Sequence, residues 1–126
     1  MKVLNIVEAA YRGTLEEQDD TLVWICHAMK GAGAEIDVLL RGNAVNYAVK
    51  AQDASGLSFG AQEQTQPPEI AGDLAKLKAK GAKIYVVEDA FSERGIEPSE
   101  LIDGLDFVPR SELARLFARY DQVWHW

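Results

Sequence analysis

Three short apolar runs restrict the folds open to this chain: Val3 to Val7, Ile36 to Leu40 and Ile84 to Val87. Val3, Leu4, Ile6 and Val7 follow one another almost without alternation, the pattern of a strand buried on both faces. Between the runs the period changes to that of a helix. Leu22, Ile25, Cys26 and Met29 recur at steps of three and four, and Ile70, Leu74 and Leu77 at i, i+4 and i+7. Strands and helices thus alternate. With right-handed crossovers this predicts an α/β fold: a three-layer α/β/α arrangement, flavodoxin-like, around a mostly parallel sheet of about five strands. The strands starting near Val3, Ile36 and Lys83 are expected at its centre, and the mixed polar and aromatic Gln122 to Trp126 nearer an edge. A length of 126 residues predicts one domain, residues 1–126.

The punctuation between these elements is equally readable. Thr14 and Glu17 have capping-box spacing, and Glu16, Glu17, Asp19 and Asp20 put negative charge in the first turns of a helix that exits near Gly31 or Gly33. Asn43 is the expected cap of a short helix over Ala44 to Lys50. Pro68 opens the next helix, which ends at Gly81 behind Lys76, Lys78 and Lys80, where positive charge offsets the macrodipole. After Val87 the chain is expected to turn through Arg94 and Gly95. A helical turn (Pro98 to Ile102), a short strand (Leu105 to Val108) and a last helix marked by Leu113, Leu116 and Phe117 follow. Gln52 to Pro67 carries no periodicity, and a loop of that length is usually functional or mobile.

Charge and composition exclude several functions. The net charge is −7 with no basic stripe, which argues against nucleic acid. No apolar run approaches a membrane span, and the first residues resemble a strand more than a signal peptide, so a cytoplasmic location is expected. Cys26 is the only cysteine, which rules out an internal disulfide. His27 and His125 show no metal-ligand spacing, and the glycine-rich nucleotide fingerprints are missing, so neither a metal nor a cofactor is expected.

The segment Gly81 to Ile96 (GAKIYVVEDAFSERGI) resembles the signature of the DsrE/DsrF-like (TusD-type) sulfur-relay family, which often reads glycine, apolar strand, cysteine, then Arg-Gly-apolar. Tyr11 to Thr14 (YRGT) is similar to the family's loop into its first helix, and Gly33 to Glu35 (GAE) to its helix exit. The ending, Ser111 to Trp126, is similar to the family's helix–Asp–strand close with a final aromatic. The resemblance covers nearly the whole chain and implies a small α/β subunit of a homo-oligomer, a trimer or larger, with a possible protein partner in a sulfur-transfer system. It also puts Val87 where family members that carry persulfide sulfur place their cysteine. Subunits without that thiol serve as scaffolding partners or have unknown roles, and this chain is similar to those.

Parallel strands end on one edge of the sheet, where ligands bind. The ligand-binding candidates are therefore Glu8, Tyr11, Arg41, Asn43, the turn Val87, Glu88 and Asp89, and Arg94. Glu88 and Asp89 read either as a solvated acidic turn or, with Glu8, as carboxylates that raise one another's pKa. Arg94 is placed to pair with Glu8, Glu88 or Asp89, or to hold an anion by its planar fork. Gln52 to Pro67 is placed to cover this cleft, with Leu57 and Phe59 as anchors. Cys26 lies on an apolar helix stripe, which says packing. Three functions remain: a non-enzymatic oligomeric subunit that binds or scaffolds, a sulfur carrier using Cys26, and an enzyme acting on a small polar metabolite through Glu8, Glu88, Asp89 and Arg94. Flanking tryptophans (Trp24, Trp124, Trp126) support an oligomer, a dimer if not a trimer.

Overall fold

A computed structural model describes residues 1–10 and 20–126. Five strands form one sheet: β1 (Lys2–Val7), β2 (Glu35–Leu40), β5 (Ile84–Val87), β6 (Asp106–Val108) and β7 (Gln122–His125). Their order is β6-β5-β2-β1-β7, and every neighbouring pair is parallel. The expected parallel α/β sheet of five strands is present, with the three apolar runs inside and β7 at an edge. β3 (Ser58–Phe59) and β4 (Gln62–Glu63) form a separate antiparallel hairpin.

The order explains how the layers are shared. From β1 the chain steps through β2 and β5 to β6 in one direction, so right-handed crossovers stack the intervening helices on one face. That face carries α1 (Thr21–Gly31), α2 (Ile70–Ala79), the 3-10 helix Gly42–Ala48 and α3 (Glu88–Glu93). Asn5 Nδ2 reaches Cys26 Sγ of α1 at 3.0 Å, and Phe91 of α3 meets Phe107 of β6 with ring centroids 5.2 Å apart. The return from β6 to β7 runs the other way and puts α4 (Leu113–Phe117) and Tyr120 on the opposite face. There the Tyr120 hydroxyl donates to Asp37 Oδ2 (2.6 Å), while Lys83 N donates to Oδ1 (2.8 Å). The core is continuous through both faces, with Leu4, Leu39, Leu74, Leu77 and Ile84 fully buried.

Several local expectations are revised. The capping box at Thr14 and Glu17 lies outside the described residues, as do Glu16 and Asp19. Asp20 is the N-cap of α1 rather than part of its first turn: Oδ1 accepts from Leu22 N (2.8 Å) and Val23 N (3.2 Å), and Oδ2 from the Tyr47 hydroxyl (2.6 Å). The helix leaves through Ala32 and Gly33, whose φ of +90° is open to glycine at little cost. Asn43 does not cap the following helix, because that helix starts one residue earlier at Gly42 with Arg41 as its N-cap; the Asn43 amide oxygen accepts from Arg94 instead. The expected turn through Arg94 and Gly95 is present, with Gly95 at φ +69°, but between it and Val87 the chain forms α3, which was not expected. Glu88 and Asp89 suit the positive end of its dipole, and Ala90 and Phe91 are buried by the core.

Candidate functional site at the carboxyl edge of the sheet

In a parallel sheet the crevice forms where the winding direction reverses, outside the carboxyl ends of the strands. Here the reversal lies between β1 and β7. Glu8 follows β1, and its backbone is held from both sides: its N–H donates to Trp126 O (3.3 Å) and its carbonyl accepts from Ala44 N (3.1 Å). The Glu8 carboxylate is therefore fixed between two cationic or polar side chains. Oε2 is 2.5 Å from His125 Nε2, and Oε1 is 3.6 Å from Arg41 Nε. Gly42 makes this packing possible. Its φ is +55°, and an added Cβ would come within 3.2 Å of Glu8 Cγ.

Arg94, the C-cap of α3, folds across the same edge. Nε and Nη2 donate to Asn43 Oδ1 (3.1 and 2.9 Å), and Nη1 donates to Ala90 O (2.9 Å). Three of the five guanidinium N–H groups are so committed, all to neutral acceptors. Arg110, just past β6, closes the third side. Its Nη2 meets Glu93 Oε1 at 2.9 Å, which raises its pKa. Its backbone N–H donates to Asp89 Oδ1 (2.7 Å) and holds that carboxyl below its ordinary range.

Two adjoining clefts result. A narrow one of about 180 Å³ runs between Arg41, Arg94 and Arg110, with Val87 and Leu113 in its wall. A wider, open one of about 450 Å³ lies beside it, lined by Asn43, His125 and Trp126. Glu8, Gly42 and Arg94 border both.

Glu8, Arg41, Asn43, Val87 and Arg94 thus share one edge. Glu88 faces elsewhere, into a third cleft of about 310 Å³ with Phe91, Pro98 and Phe107. Asp89 is turned to Arg110, and Tyr11 lies outside the described residues. The three carboxylates are not brought together. Arg94 pairs with Asn43 rather than with Glu8, Glu88 or Asp89. Leu57 and Phe59 are exposed on the β3–β4 hairpin and anchor nothing over these clefts. Sequence reasoning left Arg110 and Glu93 out of the site and weighed His125 only as a metal ligand. The signal for Arg110 and His125 was available: both sit at the carboxyl ends of strands that the pattern had already located.

A family model described as DsrE/DsrF-like matches residues 1–125. This chain belongs to the DsrE/DsrF-like family. The family is generally associated with sulfur metabolism and sulfur relay. The crystal structure of the YchN protein from E. coli superposes with a TM-score of 0.76 at 20% identity, over 99% of this chain and 98% of that one. MTH1491 from Methanobacterium thermoautotrophicum, a protein of unknown function, gives a TM-score of 0.61 at 14% identity, over 95% of this chain and 94% of that one. At these identities the two structures establish the shared fold. Among curated proteins nothing matches. No helix among the described residues is long and apolar enough to cross a membrane.

Proposed function

We propose that this DsrE-like chain is an oligomeric subunit without a sulfur-carrying thiol, and that its carboxyl-edge clefts serve a binding or scaffolding role related to sulfur metabolism. The observation that carries the reading is the placement of the two residues that bear on thiol chemistry. Val87 stands at the junction of β5 and α3 and borders the narrow cleft, and a valine side chain offers no nucleophile. Cys26 is fully buried under α1, where burial pushes its thiol up to about 11 despite the hydrogen bond from Asn5. A sulfur carrier needs an exposed thiol with a depressed pKa, and Cys26 has the opposite on both counts. The enzymatic reading finds less support, since Glu88 and Asp89 point away from Glu8.

Oligomer formation is part of the proposal. Trp24, Phe59 and Trp126 are 57%, 64% and 49% exposed, and large exposed apolar side chains of this kind mark association surfaces. Intact mass after incubation with a persulfide donor tests the thiol-free reading. We expect no gain on the native chain. A gain of roughly 32 Da, one sulfur atom on the thiolate of Cys26, would replace this reading with sulfur carriage. Light scattering tests the assembly, and a mass of 13.9 kDa at micromolar concentration would remove it.

A further inference from the structure

We infer that the narrow cleft between Arg41, Arg94 and Arg110 is a binding site for a small oxyanion, a sulfate, sulfonate or thiosulfate group. The inference deepens the binding reading above and rests on it.

The chain as a whole carries −7, yet among the described residues this cleft collects three guanidinium groups against two carboxylates, Glu8 and Glu93. The carboxylates do not cancel the three equally. Glu93 holds Arg110 at 2.9 Å. Glu8 is drawn towards His125 at 2.5 Å and lies 3.6 Å from Arg41, too long for a strong charge-assisted hydrogen bond. Arg94 meets no carboxylate within salt-bridge distance among the described residues. Its partners, Asn43 Oδ1 and Ala90 O, orient the guanidinium without neutralising it. Two of its N–H groups remain to donate, and a planar guanidinium presents such donors in the geometry that an oxyanion accepts. A cationic group held rigidly by neutral acceptors beside a cavity is prepared for an anion before the anion arrives, which reduces the ordering cost of binding.

Val87, Ala90 and Leu113 back the cleft but are almost wholly buried, so a ligand there meets mainly the polar groups of the three arginines. The wider cleft takes any longer substituent past Asn43 towards Trp126, whose ring is half exposed.

The test is a titration of the full chain, followed by amide NMR shifts, with sodium thiosulfate, methanesulfonate, sulfate and phosphate. Ionic strength is held constant with sodium chloride. Saturable shifts at Arg94, Asn43 and Val87 are expected with these oxyanions and not with sodium chloride alone. Arg94→Ala should weaken thiosulfate binding by about tenfold or more, Arg94→Lys by less, and Glu8→Gln should tighten it about threefold by removing a competing carboxylate. Asn43→Ala, which frees Arg94 without deleting it, should weaken binding severalfold and supplies a second route if Arg94→Ala fails to fold. Absence of saturable binding to any of the four, or unchanged affinity in both the Arg94 and Asn43 variants, would overturn the proposal. None of those results touches the thiol-free reading, which stands or falls on the mass of Cys26.

Discussion

The carboxylates buried inside the sheet and the arginines at its carboxyl edge obey opposite rules. Among the described residues both oxygens of the two buried carboxylates are filled, although the equally buried amide oxygen of Asn5 accepts nothing. Asp20 takes two helix N–H groups and the Tyr47 hydroxyl, and Asp37 takes Lys83 N and the Tyr120 hydroxyl. Both residues are buried, at 0% and 6% exposure, where an unfilled acceptor would cost about 1–3 kcal/mol. At the edge, among the described residues, donors outnumber their acceptors: Arg94 keeps spare N–H groups, and Arg41 is held loosely. Among these charged groups, saturation goes with holding the fold together, and surplus at an exposed edge with availability to a ligand. The distinction lies in hydrogen-bond accounting rather than residue type, since acids and their donors serve in both places.

Removing a saturated interior group should have the largest effect. Asp20→Ala deletes the N-cap of α1 and the carboxylate that Tyr47 donates to, and a loss of roughly 2–4 kcal/mol is expected. Urea denaturation measures it. A loss below about 1 kcal/mol, within the range of an exposed cap alone, would show that the interior network is not what fixes α1 on the sheet.

Alkaline pH sharpens the same contrast. The Cys26 thiol is raised from 9.0 to about 11 by burial, with Asp20 adding to the shift and the Asn5 hydrogen bond opposing it. A group whose pKa is raised on folding contributes its full stability below its unfolded value. That contribution is then lost as pH climbs through the folded one. For Cys26 the loss runs from pH 9 to about 11 and amounts to about 2–3 kcal/mol at most. Tyr120 acts with the same sign above pH 10, its hydroxyl raised by burial and by the hydrogen bond to Asp37. Stability measured by urea at pH 8 and pH 10.5 should therefore fall in the native chain and fall less in Cys26→Ala. Equal slopes in the two proteins would mean that Cys26 ionises as freely in the folded state as in the unfolded one.

The sheet was legible because burial on both faces leaves a mark that does not depend on neighbours. Val3 to Val7, Ile36 to Leu40 and Ile84 to Val87 had to be central, and β7 with its polar residues had to be outside. The helix after Val87 was hidden for a different reason. Its six residues are too few for an apolar stripe, and only packing of Ala90 and Phe91 on the sheet makes it helical. Asp37 was also hidden, since a carboxylate within an apolar strand gives no hint that Tyr120, 83 residues away, will meet it. At the edge, topology placed Glu8, Arg41, Asn43 and Arg94 near one another, but partner choice followed side-chain reach. Arg94 bends back to Asn43 and Ala90, and Glu8 turns to a histidine that enters the edge only through the last strand. Sequence order gives strand ends their address. It does not give the pairing of long charged side chains that meet there.

The smallest expected effect is on stability at the edge, and it is the most discriminating. Arg94→Ala removes three hydrogen bonds from an exposed guanidinium to exposed or backbone acceptors that water can satisfy in its place. Arg115→Ala removes an i,i+3 pair with Glu112 whose guanidinium is 85% exposed. Pairs of that kind contribute at most about 0.5 kcal/mol. Both variants should unfold in urea within roughly 0.5 kcal/mol of the native chain, so on stability the two arginines look alike. On anion binding they should separate, with Arg94→Ala losing thiosulfate and Arg115→Ala keeping it. If Arg94→Ala were instead destabilised as strongly as Asp20→Ala, the arginine would belong with the saturated interior, and its spare N–H groups would say nothing about a ligand. If Arg115→Ala weakened thiosulfate equally, the anion would be reading the general charge of the surface rather than a built cleft.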